Sequence, residues 1–566
     1  MRVNMKNVIL CSLCLAVLMG CGGEDDKKVA KAAVSLVSAA DEMGKLIPAD
    51  AVAVVYFPDP KDFEKELPAL LGAINPEKYG DDVSAYEPLE DSGLDKEHVD
   101  MTRPMAVALS LVDQGGAVIP MPTFIIPVKD PQAALAAAAQ SGSPGKRLLA
   151  GDYLGVSFDQ AYQLGNSTPA IAKDLAAGHV CARFDIKGIV ARYRPMIEKY
   201  MNPTVLQANP AFAANPQAVA YLGGVMDGLK AFLESLDTIE ASVTLNGGAV
   251  DLRAAMTMVE GSEFALPVKG GGFGDATKSL AAADADFVLL MRANWSAIMD
   301  LVEPMMEGMV GMAPPEQQQD WRTYMKKARE LYDTMGDTLA YAGDFTDNGI
   351  AVSIFAEVDK PESYLARYRD LIESPAVKSF GMEMSSHDTE TIDGVEMDRF
   401  SMKFDFAALM ALSVGQDLPP EVADEAEEAQ ANMDRMMTAM FGPNGIQVRL
   451  GAVDDGIVMV MGGDQKYAAR AVDAAKNKNG ALPAAAQRAL ERAGDASFLL
   501  YVDFRNSASW VMDLARTVQP GMPMPPIADG PAVPFLITAS SDGRKHVMNV
   551  HVDVVGIAGM FPKPPR

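Results

Sequence analysis

The sequence predicts an α+β protein built as two tandem duplicated halves, each made of β-α-β-β units whose antiparallel sheets are covered by amphipathic helices. Three observations predict it. Four segments share one pattern, in which a short continuous apolar run gives way to apolar residues at 3–4 spacing. Downstream of each copy lies period-two alternation around a glycine-containing turn. A glycine cluster, Gly270-Gly271-Gly272-Phe273-Gly274, then separates the second copy from the third.

The first copy runs from Asp50 to Tyr56 and continues through Phe63, Leu67 and Leu70. The second runs from His179 to Asp185, followed by Ile186, Ile189, Val190, Tyr193 and Ile197. The third runs from Asp284 to Met291, followed by Trp295, Ile298, Val302, Met305 and Met309. The fourth runs from Asp495 to Asp503, followed by Trp510, Val511, Leu514 and Val518. Each reads as a buried strand, a polar turn and an amphipathic helix. Copies two and three align without a gap, with Asp185 opposite Asn294 and Pro195 opposite Pro304. Asp or Asn there is a helix cap, and Pro68, Pro195 and Pro304 fall inside three of the helices, where a missing N–H should kink them.

Hairpins are expected around Gly115-Gly116, Asn246-Gly247-Gly248, Asn348-Gly349 and Asp542-Gly543, one per copy. Two more turn at Asp393-Gly394 and Asp455-Gly456. Further helices are expected over 219–233, 321–335, 422–440 and 468–475. Pairing the copies places the first half at 46–269, a glycine-rich linker at 270–281 and the second half at 282–566. Sheets with one polar face need helices on the other, so two layers are expected in each half.

The N-terminus carries an address. Arg2 and Lys6 precede an almost wholly apolar run from Val8 to Met19, which is the layout of a secretory signal. That run is too short to span a ~30 Å hydrocarbon core as a helix. The ending Leu18-Met19-Gly20-Cys21 resembles the lipobox of bacterial lipoproteins. The resemblance covers residues 1–23 and implies removal of a signal peptide at 1–20, thioether lipidation of Cys21 and acylation of the new amino terminus. It makes the bilayer a partner through Cys21 and residues 21–45 a lipidated tether, two or more acyl chains giving stable anchoring where one is marginal. In the sorting rule of such lipoproteins an Asp after the lipidated Cys retains the protein in the inner membrane. Gly22 stands there, which favours the outer membrane, facing the periplasm. The mature region resembles repeat-containing bacterial lipoproteins only loosely, and no functional residue is carried over.

Composition narrows the remaining chemistry. The formal charge of -27 excludes a basic footprint for nucleic acid and leaves the acyl groups, not a polybasic surface, to hold the membrane. Of the 4 cysteines, Cys11 and Cys14 leave with the signal and Cys21 carries lipid, so Cys181 stands alone and reads as a buried structural thiol. The 5 histidines, His98, His179, His387, His546 and His551, are too dispersed for a metal or triad signature. No His-Glu-x-x-His, Gly-x-Ser-x-Gly or paired Cys-x-x-Cys occurs, and the glycine cluster lacks the spacing of a phosphate loop. No catalytic residue, metal or cofactor is therefore expected, and the protein reads as non-enzymatic.

Methionine is the one feature with functional colour. Removing Met1, Met5 and Met19 from the 36 leaves 33 in the mature chain. Met299, Met305, Met306 and Met309 follow the third strand, and Met433, Met437 and Met440 lie on an acidic helix. Their spacing is ordinary core spacing, and core filling is the primary reading. The functional alternative is an adaptable apolar groove. The chain thus reads as a membrane-anchored envelope lipoprotein acting by binding or scaffolding. A carrier or chaperone for hydrophobic ligands is one alternative. Another is an envelope hydrolase with a dispersed site, and a third is a subunit docking an envelope partner through the proline-rich 520–534.

Overall fold

The structure is a computed structural model, and it describes residues 42–74, 94–114, 117–141, 145–164, 178–200, 216–262, 268–273, 275–278, 280–281, 284–312, 315–346, 349–379, 382–404, 420–443, 445–518 and 524–561. They form helices and extensive antiparallel sheet, an α+β protein, and divide into two compact units. Unit 1 draws on residues before 199, on 231–263 and on 544–559. Unit 2 draws on 199–230, 264–543 and 560–566.

In unit 1 the β-branched run Ala51–Phe57 forms β1, and helix α1 (Pro60–Ile74) follows it with Pro68 inside. Asp59 starts that helix by accepting from the Asp62 N–H at 3.0 Å. The hairpin β2 (Met105–Gln114) and β3 (Ala117–Pro127) comes next. Helix α2 (Pro131–Gln140) is capped by Asp130, which accepts from Gln132 and Ala133, with Pro131 at its first position. Then come β4 (Lys146–Ala150), β5 (Tyr153–Ser157), β6 (Val180–Asp185), α3 (Ile186–Tyr200), β7 (Leu236–Asn246) and β8 (Ala249–Met258), and α4 (Pro216–Ser235), between α3 and β7 in the chain, falls mostly in unit 2. The spatial order is β4-β5-β3-β2-β1-β6-β7-β8, antiparallel throughout. Strands β1 and β6 are direct neighbours, with Tyr56 opposite Cys181. Three apolar clusters hold the unit, around Met43, Leu46 and Tyr56, around Ile126 and Leu154 under α2, and around Leu252 under α1.

In unit 2, β9 (Phe287–Arg292) leads to α5 (Trp295–Met312) and α6 (Pro315–Tyr332), and the hairpin β10 (Met335–Thr346) and β11 (Gly349–Val358) follows. Next come α7 (Pro361–Ile372), α8 (Pro375–Ser379) and the hairpin β12 (Met382–Ile392) and β13 (Val395–Phe404). Helix α9 (Pro420–Phe441), β14 (Ile446–Val453), β15 (Gly456–Met461), α10 (Gln465–Asn477), α11 (Ala484–Ala493), β16 (Phe498–Asp503), α12 (Phe504–Val518) and β17 (Pro534–Ser541) complete it. The order is β17-β16-β9-β10-β11-β15-β14-β13-β12, again antiparallel. Strand β9 pairs with β16, as β1 pairs with β6 in unit 1.

Two layers are expected for this unit, but its sheet is buried on both faces. Val458 and Val460 pack with Ala468 and Val472 of α10, whereas Ile457, Met459 and Met461 between them pack with Leu331 of α6 and Leu365 of α7. Alternate residues of one strand thus feed separate clusters, and helices cover each side.

The chain's last strand, β18 (Lys545–Asp553), pairs with β8, and α13 (Val554–Gly559) packs on α1. Both belong to unit 1, so the units interleave along the chain where the sequence suggests consecutive halves. Among the described residues no helix is long and apolar enough to cross a membrane.

Candidate functional site

Cys21, the expected signal at 1–20 and most of the expected tether at 21–45 lie outside the described residues. Of the methionines proposed to line a groove, Met299 and Met306 are half-buried on α5, and Met305 and Met309 share that helix, their side chains lying outside the description. Met433, Met437 and Met440 are half-buried on α9, and Met437 packs with Phe441 on the cluster containing Leu331 and Phe400. Helix α5 packs on α6, and α9 packs on α12 and β11, so the two methionine runs belong to different helix pairs.

The apolar cavity in unit 2 is built from other residues. Helices α6 and α7 each present one face to it, Tyr324, Ala328, Leu331 and Tyr332 from the first and Tyr364, Tyr368, Leu371 and Ile372 from the second. Both sets have the i, i+4, i+7, i+8 spacing of a single helix face. Val377 of α8 closes one side, and Met384, Phe400 and Met402 form the floor, Met384 standing opposite Met402 in the β12–β13 hairpin. The cavity measures about 210 Å³, and none of these residues bears a formal charge.

Its rings are held by one another. Tyr364 and Tyr368 stack at 6.2 Å and 15°, and Tyr368 tilts on Phe400 at 6.3 Å. Tyr332 stacks on Trp295 at 5.3 Å, and the Trp295 indole N–H donates to the Gly336 carbonyl at 2.7 Å. Helix α7 is fixed from outside, because Arg369 donates twice to the buried Asp398, at 2.7 and 2.9 Å.

The hydroxyls are the polar content of the site. Burial, with the neighbouring Tyr324 and Tyr332 phenols adding to it, pushes Tyr368 up to about 12. Burial raises Tyr324, Tyr332 and Tyr364 as well, so these groups stay protonated across the physiological range. Among the described residues the Tyr332, Tyr364 and Tyr368 hydroxyls bond to no protein group, although Tyr364 is only 6% exposed. They are absent from the sealed, partnerless polar atoms such as the Tyr56 hydroxyl, so each keeps some accessible surface, and all three residues line the cavity. A ligand that drove water from these hydroxyls without accepting from them would forfeit about 1–3 kcal/mol for each.

A larger cavity of about 440 Å³ lies beside α10, with Asp284, Asp344, Tyr467, Arg470, Asp473 and Asn479 in its wall. Its charges are already engaged. Arg470 reaches Asp284 at 3.4 Å, donates to Asp344 and covers the Tyr467 ring at 5.1 Å. Burial raises the Asp344 carboxyl against the pull of Arg470, and side-chain hydrogen bonds from Asn479 and Asn477 hold Asp473 below the usual range. A ligand entering there must compete with this network.

Two of the histidines, His179 and His551, are also engaged. Leu245 N–H donates to His179 Nδ1 at 2.8 Å, and His179 Nε2 lies 3.0 Å from Asp62, tying β7 and α1 together. His551 Nδ1 is 2.6 Å from Asp251, its cross-strand neighbour. Among the described residues no group of three or more His, Cys, Asp or Glu side chains is placed to hold a metal.

The sequence reading misses the tyrosine site because its halves lie on α6, β12 and β13, which are expected, and on α7, which is not. One signal was available: Tyr324, Tyr332, Tyr364 and Tyr368 fall within 45 of the chain's 566 residues, at helical spacing, and belong to a total of 15 tyrosines.

Compared with known proteins, the chain matches no family model and no curated sequence. Among solved structures it is similar to TP0453. Crystal form IV of that protein shares 10% identity at a TM-score of 0.22, over 50% of this chain and 94% of the other. Crystal form III shares 9% at 0.21, over 50% of this chain and 96% of the other.

Proposed function

We propose that the protein is a bacterial envelope lipoprotein, tethered through acylated Cys21, that binds a small apolar molecule in the tyrosine-lined cavity of unit 2 and performs no catalysis. The observation that carries the binding reading is a cavity without charge, lined by Tyr332, Tyr364 and Tyr368, whose hydroxyls bond to no protein group among the described residues. Gly22 after the lipidated residue favours the outer membrane, facing the periplasm. The body is read as a duplicated β-α-β-β architecture. Supporting it, β1 pairs with β6 and β9 with β16, and Asp59, Asp185 and Asn294 each accept from the N–H three residues on, at 3.0, 2.8 and 3.4 Å.

The tether is tested by growing cells with labelled palmitate. The wild-type protein is expected to carry label and sediment with membranes, and Cys21→Ala to lose both. Label retained in Cys21→Ala overturns the anchoring.

A further inference from the structure

We infer that the ligand of the tyrosine cavity is an uncharged molecule of single-ring size that carries a hydrogen-bond-accepting oxygen, such as an aryl ketone. The inference rests on the binding reading above and adds the chemical class.

Size comes first. A dry cavity of about 150 Å³ accepts benzene, and drug-sized ligands need about 300 Å³ or more. At about 210 Å³ this cavity suits one ring with a short substituent. Polarity comes second. Tyr332, Tyr364 and Tyr368 present hydroxyls that bond to no protein group among the described residues, and Tyr364 is 6% exposed. An acceptor oxygen on the ligand would satisfy them, as a plain hydrocarbon would not.

Charge comes third. An anion would find no cation among the lining residues. Arg369, next to Tyr368 on α7, is committed to Asp398 by two hydrogen bonds at 2.7 and 2.9 Å. A quaternary ammonium needs open ring faces. Here Tyr364 and Tyr368 face each other at 15°, and the Tyr332 face is stacked on Trp295 at 25°. The cavity offers hydroxyls and apolar walls, which is the complement of a neutral oxygenated ring.

The test uses full-length protein in phospholipid nanodiscs, with empty nanodiscs as reference, titrated by calorimetry with four probes of matched size. These are acetophenone, ethylbenzene, benzoate and phenyltrimethylammonium. Acetophenone is expected to saturate, ethylbenzene to bind about tenfold more weakly, and the two ions to show no saturable heat. Tyr364→Phe and Tyr368→Phe keep the rings and should each weaken acetophenone about threefold to tenfold while leaving ethylbenzene unchanged. Ala328→Leu, which fills the cavity from α6, should abolish binding of both. Ethylbenzene equal to acetophenone, or either ion binding most tightly, overturns the ligand class and leaves the cavity as the site. Acetophenone binding undiminished by Ala328→Leu, or no saturation by any probe, overturns the binding reading itself.

Discussion

Leu290 on β9 stands directly opposite Leu499 on β16, and neither side chain is exposed to solvent. The pair lies at the β9–β16 strand contact and packs in the cluster that includes Val288 and Val460. Leu499→Ala is expected to destabilise unit 2 by about 2–5 kcal/mol, and Leu290→Ala together with Leu499→Ala by less than the sum, because the two deletions share one cavity. Denaturant unfolding followed by tryptophan fluorescence checks it. All 3 tryptophans, Trp295, Trp321 and Trp510, belong to unit 2, so the signal reports that unit. Strict additivity would show that the two leucines do not share a packing site.

The pair Arg369 and Asp398 invites a comparison with Arg399 and Asp388 nearby. Asp398 is 3% exposed and its partner 42%, whereas the second pair is 43% and 51% exposed. Arg369→Ala removes two charge-assisted hydrogen bonds from a buried carboxylate and is expected to lower stability by about 2 kcal/mol, the open side of Arg369 limiting the loss. Arg399→Ala should change nothing measurable, since water replaces the lost partner. Equal effects in thermal unfolding would show that burial of Asp398 does not set the outcome.

Cys181 is 1% exposed, its thiol lies 3.7 Å from the Gly178 carbonyl, and burial pushes it from 9.0 to about 12. The folded protein therefore keeps a proton that the unfolded chain releases from pH 9 upward. Its contribution to stability is complete below pH 9 and is lost as pH rises toward about 12. A thiol reagent at mildly alkaline pH should leave Cys181 unlabelled in the native protein and modify it in denaturant. Labelling of the native protein would show that the strand opens readily.

Gly349 begins β11 with φ +110°, and a Cβ there would run into the Met440 carbonyl of α9. Gly442 also has a positive φ, +80°, but nothing within 4 Å. Gly349→Ala is expected to lose about 2 kcal/mol or more, from backbone strain and the clash together, and Gly442→Ala about 1 kcal/mol from strain alone. Equal losses would mean that α9 yields to the added methyl.

Local signals made much of this fold legible. The apolar runs before Asp59, Asp185, Asn294 and Asp503 are strands, and the alternation around Asn246-Gly247 and Asn348-Gly349 marks real strand pairs. Helix α7 was harder to read because Arg367, Arg369 and Asp370 interrupt an aromatic face, which weakens the apolar period although Tyr364, Leu365 and Leu371 are buried. The alanine-rich α2 has few large apolar residues to mark a buried face. Methionine abundance pointed to α5 and α9, yet the methionines at the cavity, Met384 and Met402, sit on a hairpin. A cavity assembled from three helices and two strands leaves no trace in any single window of sequence.

The pairing of β18 with β8 sets a condition on biogenesis. Asp251 and His551 are 300 positions apart, yet they meet in adjacent strands of the unit that also contains β1. Synthesis proceeds from the N-terminal side, so that sheet stays one strand short until residues 545–553 have been made. Its final closure joins distant partners and is intrinsically slow. A premature stop near the end would spare most of unit 2 and leave β8 as a bare edge, open to pairing with another chain.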